Sequence, residues 1–357
     1  MVGILLNSRA TNHAMVSRRL RGATRCVLIE SMRLRRTGRI RAGLFPALGL
    51  LVLSALWSVD SLRTDLFPRF DLDALSPVQG QAALFSAFAA VAASVALARR
   101  AEFPLGRRAW ACAGIGVGLF VVPAALVACA QDWVSTLDRV AVFSLTPVFA
   151  VVLERYLQGS EPRQAKAALA GAVTAVAGVL CVLGFDIPGS FRAGIALCAL
   201  TAAALGIAAT NCLAVRLARS VAGRSILPMA VHAGAASAMC FVAASAFAPH
   251  TAWRWSVHLF WRFVIGLPAL FLLFSLMRRL DASRMTAPFL LAPLFTIVVG
   301  MALEPTSPPV LAWLGLVLLG GGAGWLVFAP AEKADVVELG LLNALTTQSP
   351  RRLPPSG

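Results

Sequence analysis

The chain has 357 residues, of which 59% are hydrophobic and only 13% are charged. About a quarter of the residues in an average soluble domain are charged, so this composition excludes a disordered chain and argues against an ordinary soluble enzyme. The 32 basic residues outnumber the 16 acidic ones and give a net charge of +16. Such a surplus indicates either a nucleic-acid partner or basic loops beside a membrane.

Ten apolar runs follow one another along the chain, each close to the roughly 20 residues that a helix needs to cross a bilayer. Helices are the expected structure, because lipid offers no hydrogen-bond partner to an open strand edge. The predicted transmembrane helices cover residues 44–62, 78–98, 109–130, 139–158, 167–185, 193–215, 226–248, 257–277, 286–303 and 309–329.

The positions of the basic residues decide between the two explanations of the charge. If the N-terminus is cytoplasmic, 26 of the 32 Arg and Lys residues fall on the cytoplasmic side of these helices. Such an asymmetry is typical of the positive-inside rule. The sequence therefore predicts a multi-pass protein of the inner (cytoplasmic) membrane with both termini in the cytoplasm, and it explains the charge without nucleic acid.

The two halves of the chain resemble each other. At an offset of 144 residues, Gly171 and Gly178 match Gly315 and Gly322, and other matches follow in the same order at offsets up to 151. Each half carries five spans, and this odd number forces the second half to enter the membrane from the opposite side. The predicted fold class is an all-α integral membrane protein with ten transmembrane helices as two inverted five-helix repeats. Such repeats allow a site between them to open to either side in turn.

The predicted helices leave no soluble domain. We divide the chain into a basic cytoplasmic N-terminal tail (1–41), a first repeat (42–185), a second repeat (192–329) and a cytoplasmic C-terminal tail (330–357). Each tail is too short for a core of its own. Six of the seven Cys residues lie within apolar runs without C-x-x-C spacing, which indicates small buried side chains and no zinc site.

Two stretches carry a resemblance to a known family. Leu145–Phe149 (LTPVF) is followed by Gly159–Pro162 (GSEP), and in the second half Leu291–Phe295 (LAPLF) is followed by Leu303–Pro305 (LEP). These stretches resemble the fourth and fifth helices of an EamA-type repeat of the drug/metabolite transporter superfamily. The resemblance covers residues 42–329. It implies ten helices in two inverted repeats and secondary transport of a small metabolite or drug, frequently export.

Polar residues inside the predicted helices are candidates for function, because lipid makes them costly unless they face protein or water. Asp60 in the first helix matches Asn211 in the sixth, and Gln81 in the second matches His232 in the seventh, both at an offset of 151. As substrate-path residues, Asp60 and Gln81 would lie toward the outside, and Asn211 and His232 toward the inside. The alternative is interfacial solvation and hydrogen bonding between helices.

Two side chains are candidates for proton coupling. His232 can exchange a proton near neutral pH, although a lone His in a helix is more often neutral and hydrogen-bonded. Glu154 is the second, and its alternative role is an interfacial ion pair with Arg155. Pro147 and Pro293 interrupt the backbone hydrogen bonds of the fourth and ninth predicted helices, either as hinges or as kinks that packing tolerates.

The expected function is secondary transport of a small metabolite or drug across the cytoplasmic membrane by alternating access, with export as the favoured direction. We expect no enzyme activity, no catalytic residues, no metal and no cofactor. The glycine-rich stretches 114–118 and 320–324 lie in apolar helices, where close helix packing is the expected role rather than phosphate binding. The expected partners are a small-molecule substrate and membrane lipid, with a homodimer as an alternative to a monomer. Two other functions stay open: a polytopic membrane enzyme or lipid-handling protein, and a transport-inactive structural or regulatory membrane protein.

Overall fold

The computed structural model describes residues 45–60, 76–158, 162–184, 189–220, 225–247, 257–303 and 309–328. Within these ranges each predicted apolar run is helical, and no strand occurs. Both predicted tails, and Glu161 and Glu304 of the family-like stretches, lie outside the described residues.

Ten helices make up the described part of the chain. They are α1 Phe45–Asp60, α2 Pro77–Ala98, α3 Arg107–Ala130, α4 Thr136–Leu157, α5 Pro162–Leu183, α6 Phe191–Ser220, α7 Leu227–Ser245, α8 Val257–Met277, α9 Ala282–Ala302 and α10 Val310–Phe328. Nine of them are long and apolar enough to cross a membrane, and α1 is apolar but shorter. The prediction of a polytopic, all-helical membrane protein is confirmed at this level.

Contacts at the helix ends define one face of the bundle, which we call the basic face. Here Glu154 at the end of α4 contacts Ala282 at the start of α9, and Arg219 at the end of α6 contacts Asp281. This face carries arginines at the helix ends and in the connecting turns. They are Arg99, Arg100, Arg107, Arg108, Arg155, Arg216, Arg219, Arg278, Arg279 and Arg284.

The opposite face is poorer in basic residues. Arg262, near the start of α8, donates to the carbonyl of Pro77 at the start of α2, with 3.5 Å between the nitrogen and the oxygen. The guanidinium carbon of Arg192, at the start of α6, lies 5.0 Å from the ring centroid of Trp133. Both interactions join the helix ends that lie farthest from the basic face.

Helices α5 and α10 approach each other through glycines. A Cβ atom placed on Gly178 would lie 2.6 Å from the carbonyl oxygen of Gly315, and one placed on Gly322 would lie 2.5 Å from that of Gly171. These distances are too short for any side chain, so only glycine permits this backbone approach. Small residues at such positions are typical of helix pairs in membranes.

The two glycine-rich stretches have mixed surroundings. Gly116 in α3 lies directly against the backbone of Ala233 in α7, and Gly118 lies against the Thr210 side chain of α6. A packing role is therefore present at Gly116, Gly118 and Gly322. It is not present at three other glycines, which have no neighbour within 4 Å: Gly114, Gly321 and Gly324.

Helix α4 is interrupted at residues 144–145, just before Pro147. Proline has no N–H, so the carbonyl of Phe143 loses its helical partner. The hydroxyl of Thr146 donates to that carbonyl instead, at 2.7 Å. The predicted hinge candidate Pro147 thus lies at an observed break in the helix.

Helix α9 is interrupted at residues 286–287, just before Pro288. The hydroxyl of Thr286 donates to the carbonyl of Ser283 at 2.7 Å, much as Thr146 does in α4. Pro293, the other hinge candidate, lies inside the continuous helical segment Pro288–Leu303. The break in α9 therefore occurs at Pro288 and not at Pro293.

The glycine contact between α5 and α10 leads to a stability prediction. Gly322→Leu should lower the melting temperature of the purified protein in detergent, because the new side chain would overlap the α5 backbone at a cost of about 1–3 kcal/mol. Gly324→Leu is the matched control in the same helix, since Gly324 has open space around it. Equal melting temperatures for the two variants would contradict the contact.

Candidate functional site

A cavity of about 290 Å³ opens at the basic face. Its walls come from the α2–α3 loop, α3, α6, α7 and α8. Three charged side chains line it: Glu102, Arg108 and Arg278. Most of the remaining wall is apolar, with Phe103, Leu105, Leu217, Ile226 and Met229.

The loop between α2 and α3 forms one wall of the cavity, and its two ends explain its path. Arg100 has φ 50°, and the N–H of Ala101 donates to the carbonyl of Ala96 at 2.9 Å. This is a Schellman-type end, which reverses the chain after α2. Gly106 has φ 61°, a conformation that glycine adopts freely, and it leads into α3. Residues 102–105 therefore run between the turn at Arg100 and the turn at Gly106, and they line one side of the cavity.

His232 lies behind the cavity wall. Its Nδ1 atom is 2.8 Å from the carbonyl oxygen of Pro228, and its ring centroid is 6.1 Å from that of Phe103. Because a carbonyl oxygen only accepts, Nδ1 carries the proton and donates it. Pro228 and Phe103 both line the cavity, so His232 contacts two residues of its wall.

Glu154 caps the start of α9. Its carboxylate oxygens accept from the backbone N–H groups of Ala282 at 3.3 Å and Ser283 at 3.1 Å, and its side chain is buried. A helix start leaves such N–H groups without partners, and a carboxylate there is favoured by both hydrogen bonding and the helix dipole. Arg155 is exposed and makes no ion pair with Glu154. In the structure Glu154 therefore caps α9 and does not form the ion pair with Arg155 that the sequence offered as an alternative.

Asp281 explains why the cap comes from a distant helix. It occupies the N-cap position of α9, but its side chain makes no hydrogen bond to that helix. It instead binds Arg219 of α6 at 2.5 Å, and Arg219 also donates to the carbonyl of Leu280 at 3.2 Å. The capping role then falls to Glu154, 128 residues away from Ala282 in sequence. Helices α4, α6 and α9 are joined at the basic face by this group of contacts.

The other predicted substrate-path residues lie apart from one another. Asp60 is exposed at the end of α1, and Gln81 is half-buried near the start of α2. Asn211 is buried in α6, and within the described residues its side chain has no hydrogen-bond partner. Asp60 and Gln81 are nearer the face opposite the basic face, whereas Asn211 and His232 are nearer the basic face. The structure therefore does not bring the four together, and of these only His232 adjoins the cavity.

Sequence reasoning did not single out the charged residues of the cavity. Glu102 lies in the α2–α3 loop, Arg108 at the start of α3 and Arg278 directly after α8, where they count as ordinary flanking charges. Nothing local distinguishes Arg108 from Arg107, or Arg278 from Arg279. In addition, no group of three His, Cys, Asp or Glu residues in the described ranges could hold a metal ion.

The Glu154 cap is testable by stability measurements. Glu154→Ala leaves two buried N–H groups without their acceptor, and each unpaired group costs about 1–3 kcal/mol. We expect a clear drop in melting temperature in detergent, and a smaller drop for Glu154→Gln, which keeps one acceptor oxygen. Arg155→Ala, at the exposed neighbouring position, should leave the melting temperature unchanged. Wild-type stability of Glu154→Ala would show that the carboxylate does not cap α9.

Comparison with known proteins bears on the fold alone. No protein-family model matches the sequence, and no relative was found among curated proteins. A solved structure described as "Crystal structure of protein" matches with a TM-score of 0.63 and 20% sequence identity. The match covers 80% of this chain and 99% of that one. At this identity the likeness shows that the two chains share a fold.

Proposed function

We propose that the protein is a secondary transporter that moves a small metabolite or drug across the cytoplasmic membrane by alternating access between two inverted five-helix repeats. The observation that carries the proposal is a set of paired contacts. Replacing each helix by its counterpart five helices away converts one contact of a pair into the other. Such an exchange is expected of two halves related by a two-fold axis in the membrane plane.

The clearest pair joins α5 and α10. Gly171 contacts Gly322, and Gly178 contacts Gly315. Gly171 and Gly315 are equivalent in the two halves, as are Gly178 and Gly322, at the same offset of 144 residues. Exchanging the halves therefore turns the first contact into the second.

A second pair joins each third helix to the second helix of the other half. Gly116 of α3 lies against Ala233 of α7, and Gly266 of α8 lies against Leu84 of α2. The two glycines are 150 residues apart, and their partners are 149 apart. The same spacing on both sides of the contact supports the repeat.

A third pair involves the interrupted helices. Ser58 of α1 shares a hydrogen bond with Thr296 of α9, with 3.0 Å between the oxygens. In the counterpart contact, the Cys212 thiol of α6 lies 3.9 Å from the Ala150 carbonyl oxygen of α4. Both α4 and α9 are interrupted before a proline, and such breaks supply hinges in transporters. Pro147 has this role in our proposal, and Pro293 serves as a secondary bend.

Alternating access needs contacts that can open at one face. The Glu154 cap and the Arg219–Asp281 pair connect α4 of the first half with α6 and α9 of the second. In our proposal these contacts rearrange when the basic face opens. Protonation of Glu154 would weaken its bonds to α9, which makes it a candidate for coupling, as is His232 beside the cavity. Asp60, Gln81, Asn211 and His232 line successive parts of the substrate path.

The remaining parts of the proposal rest on the sequence. The family-like stretches Leu145–Phe149 and Leu291–Phe295 support an EamA-type transporter. The concentration of Arg at the basic face supports a cytoplasmic location for that face and for both termini, and the family resemblance favours export.

Orientation can be tested by cysteine labelling in whole cells. In a background without native Cys, Leu105→Cys at the basic face should react with a membrane-impermeant maleimide only after cell lysis. Asp132→Cys, after α3 at the opposite face, should react in intact cells. The reverse pattern would place the basic face outside.

Transport can be tested in proteoliposomes with a panel of radiolabelled amino acids, nucleosides and organic acids. Among the compounds that accumulate, we expect Asp60→Asn and His232→Gln to lower the initial rate at least about tenfold at equal amounts of folded protein, because they remove groups along the path.

Ser94→Ala is the control for these variants. The Ser94 hydroxyl bonds only to the Ala90 carbonyl of its own helix and is exposed on the bundle surface, so the rate should not change. Wild-type rates for Asp60→Asn and His232→Gln would remove both from the path. No flux of any compound would favour a membrane enzyme or a transport-inactive protein.

A further inference from the structure

The cavity at the basic face has a charge pattern that favours anions. Arg108 and Arg278 both line it, and within the described residues neither guanidinium forms an ion pair or hydrogen bond. Glu102 also lines it, and this residue interacts with another group of the protein. The cavity thus offers two arginines whose donors are unoccupied, and the three charges sum to one net positive charge.

The rest of the lining sets the size and polarity of a ligand. At about 290 Å³ the cavity lies near the lower limit for small-molecule sites. Phe103, Leu217 and Met229 present apolar surface within it. A ligand that fits must therefore be small and have an apolar part as well as a charged one.

We propose that this cavity binds a small organic anion, with its carboxylate or phosphate on Arg108 and Arg278 and its apolar body against Phe103, Leu217 and Met229. Arginine suits this chemistry because its planar fork of donors matches the oxygens of such groups. That the anion is the transported substrate rests on the proposed function, whereas the binding itself does not. The same chemistry is present in a free metabolite and in the headgroup of an anionic lipid.

The test uses three probes of the same shape that differ in charge: 4-phenylbutyrate, 4-phenylbutan-1-ol and 4-phenylbutylamine. Binding to the full-length protein in phosphatidylcholine nanodiscs is measured by isothermal titration calorimetry. We expect 4-phenylbutyrate to bind at least about tenfold more tightly than the other two, because only it forms charge-assisted hydrogen bonds. Raising the salt concentration should weaken its binding, because the arginines are at an open face.

Neighbouring arginines supply matched controls. Arg108→Gln and Arg278→Gln should each weaken binding of 4-phenylbutyrate about five- to tenfold. Arg107→Gln and Arg279→Gln change the net charge equally but outside the cavity lining, so they should change the affinity less than about twofold. Arg108→Lys keeps the charge and should restore part of the affinity. Melting temperatures identify any variant that fails to fold. If Arg108→Gln fails to fold, Arg108→Lys is compared with Arg107→Gln instead.

A second set of nanodiscs, containing phosphatidylglycerol, separates the two sources of the anion. Competition with 4-phenylbutyrate that disappears in Arg108→Gln identifies a lipid headgroup as the occupant. If phosphatidylglycerol does not weaken the binding of 4-phenylbutyrate, the occupant is a free anion. Either result supports an anion site.

Two results would overturn the proposal: equal affinity for the butyrate and the alcohol, or equal losses in Arg107→Gln and Arg108→Gln. Failure of the proposed function is a separate outcome. Arginine-dependent binding without flux of any compound would leave the anion site and remove the transporter. Flux of compounds without charge-selective binding would support the transporter and remove the anion site.

Discussion

Backbone groups inside a bilayer must find hydrogen-bond partners within the protein, and this requirement accounts for the side chains at the breaks in α4 and α9 and at the start of α9. At the break in α4, Thr146 supplies the donor that Pro147 lacks. At the break in α9, the carbonyl of Arg284 accepts from the N–H of Ala287, and the hydroxyl of Thr286 donates to the carbonyl of Ser283. At the start of α9, Glu154 accepts the N–H groups that Asp281 leaves unpaired. At these three places the departure from a regular helix is accompanied by a buried polar side chain.

These compensating side chains also connect helices that are far apart in the sequence. Glu154 belongs to α4 but stabilises α9, and Arg219 of α6 binds the residue before α9. Because the acceptor for the start of α9 comes from α4, the hydrogen bonds at the start of α9 depend on the position of α4. A shift of α4 against α9 would expose two N–H groups at the same time.

Close helix contacts elsewhere limit where movement can occur. The glycine contacts between α5 and α10 leave no room for a side chain, and the Gly116–Ala233 contact joins α3 and α7 equally closely. By contrast, the α2–α3 loop, α3, α6, α7 and α8 leave a cavity between them at the basic face. Tight helix pairs and an open cavity therefore occur in the same bundle.

The sequence by itself determined the helical class, the ten apolar segments and the unequal distribution of charge, because these depend on hydropathy and residue spacing along one segment at a time. It also indicated Pro147 as a break, since a missing N–H acts locally. Only the tertiary structure decided that Pro288 rather than Pro293 interrupts α9, that Glu154 caps a helix 128 residues away, and that Arg108 and Arg278 face one cavity while Arg107 and Arg279 do not. Each of these depends on which helices become neighbours, and neighbouring residues of the same type differ only in the partners that folding brings to them.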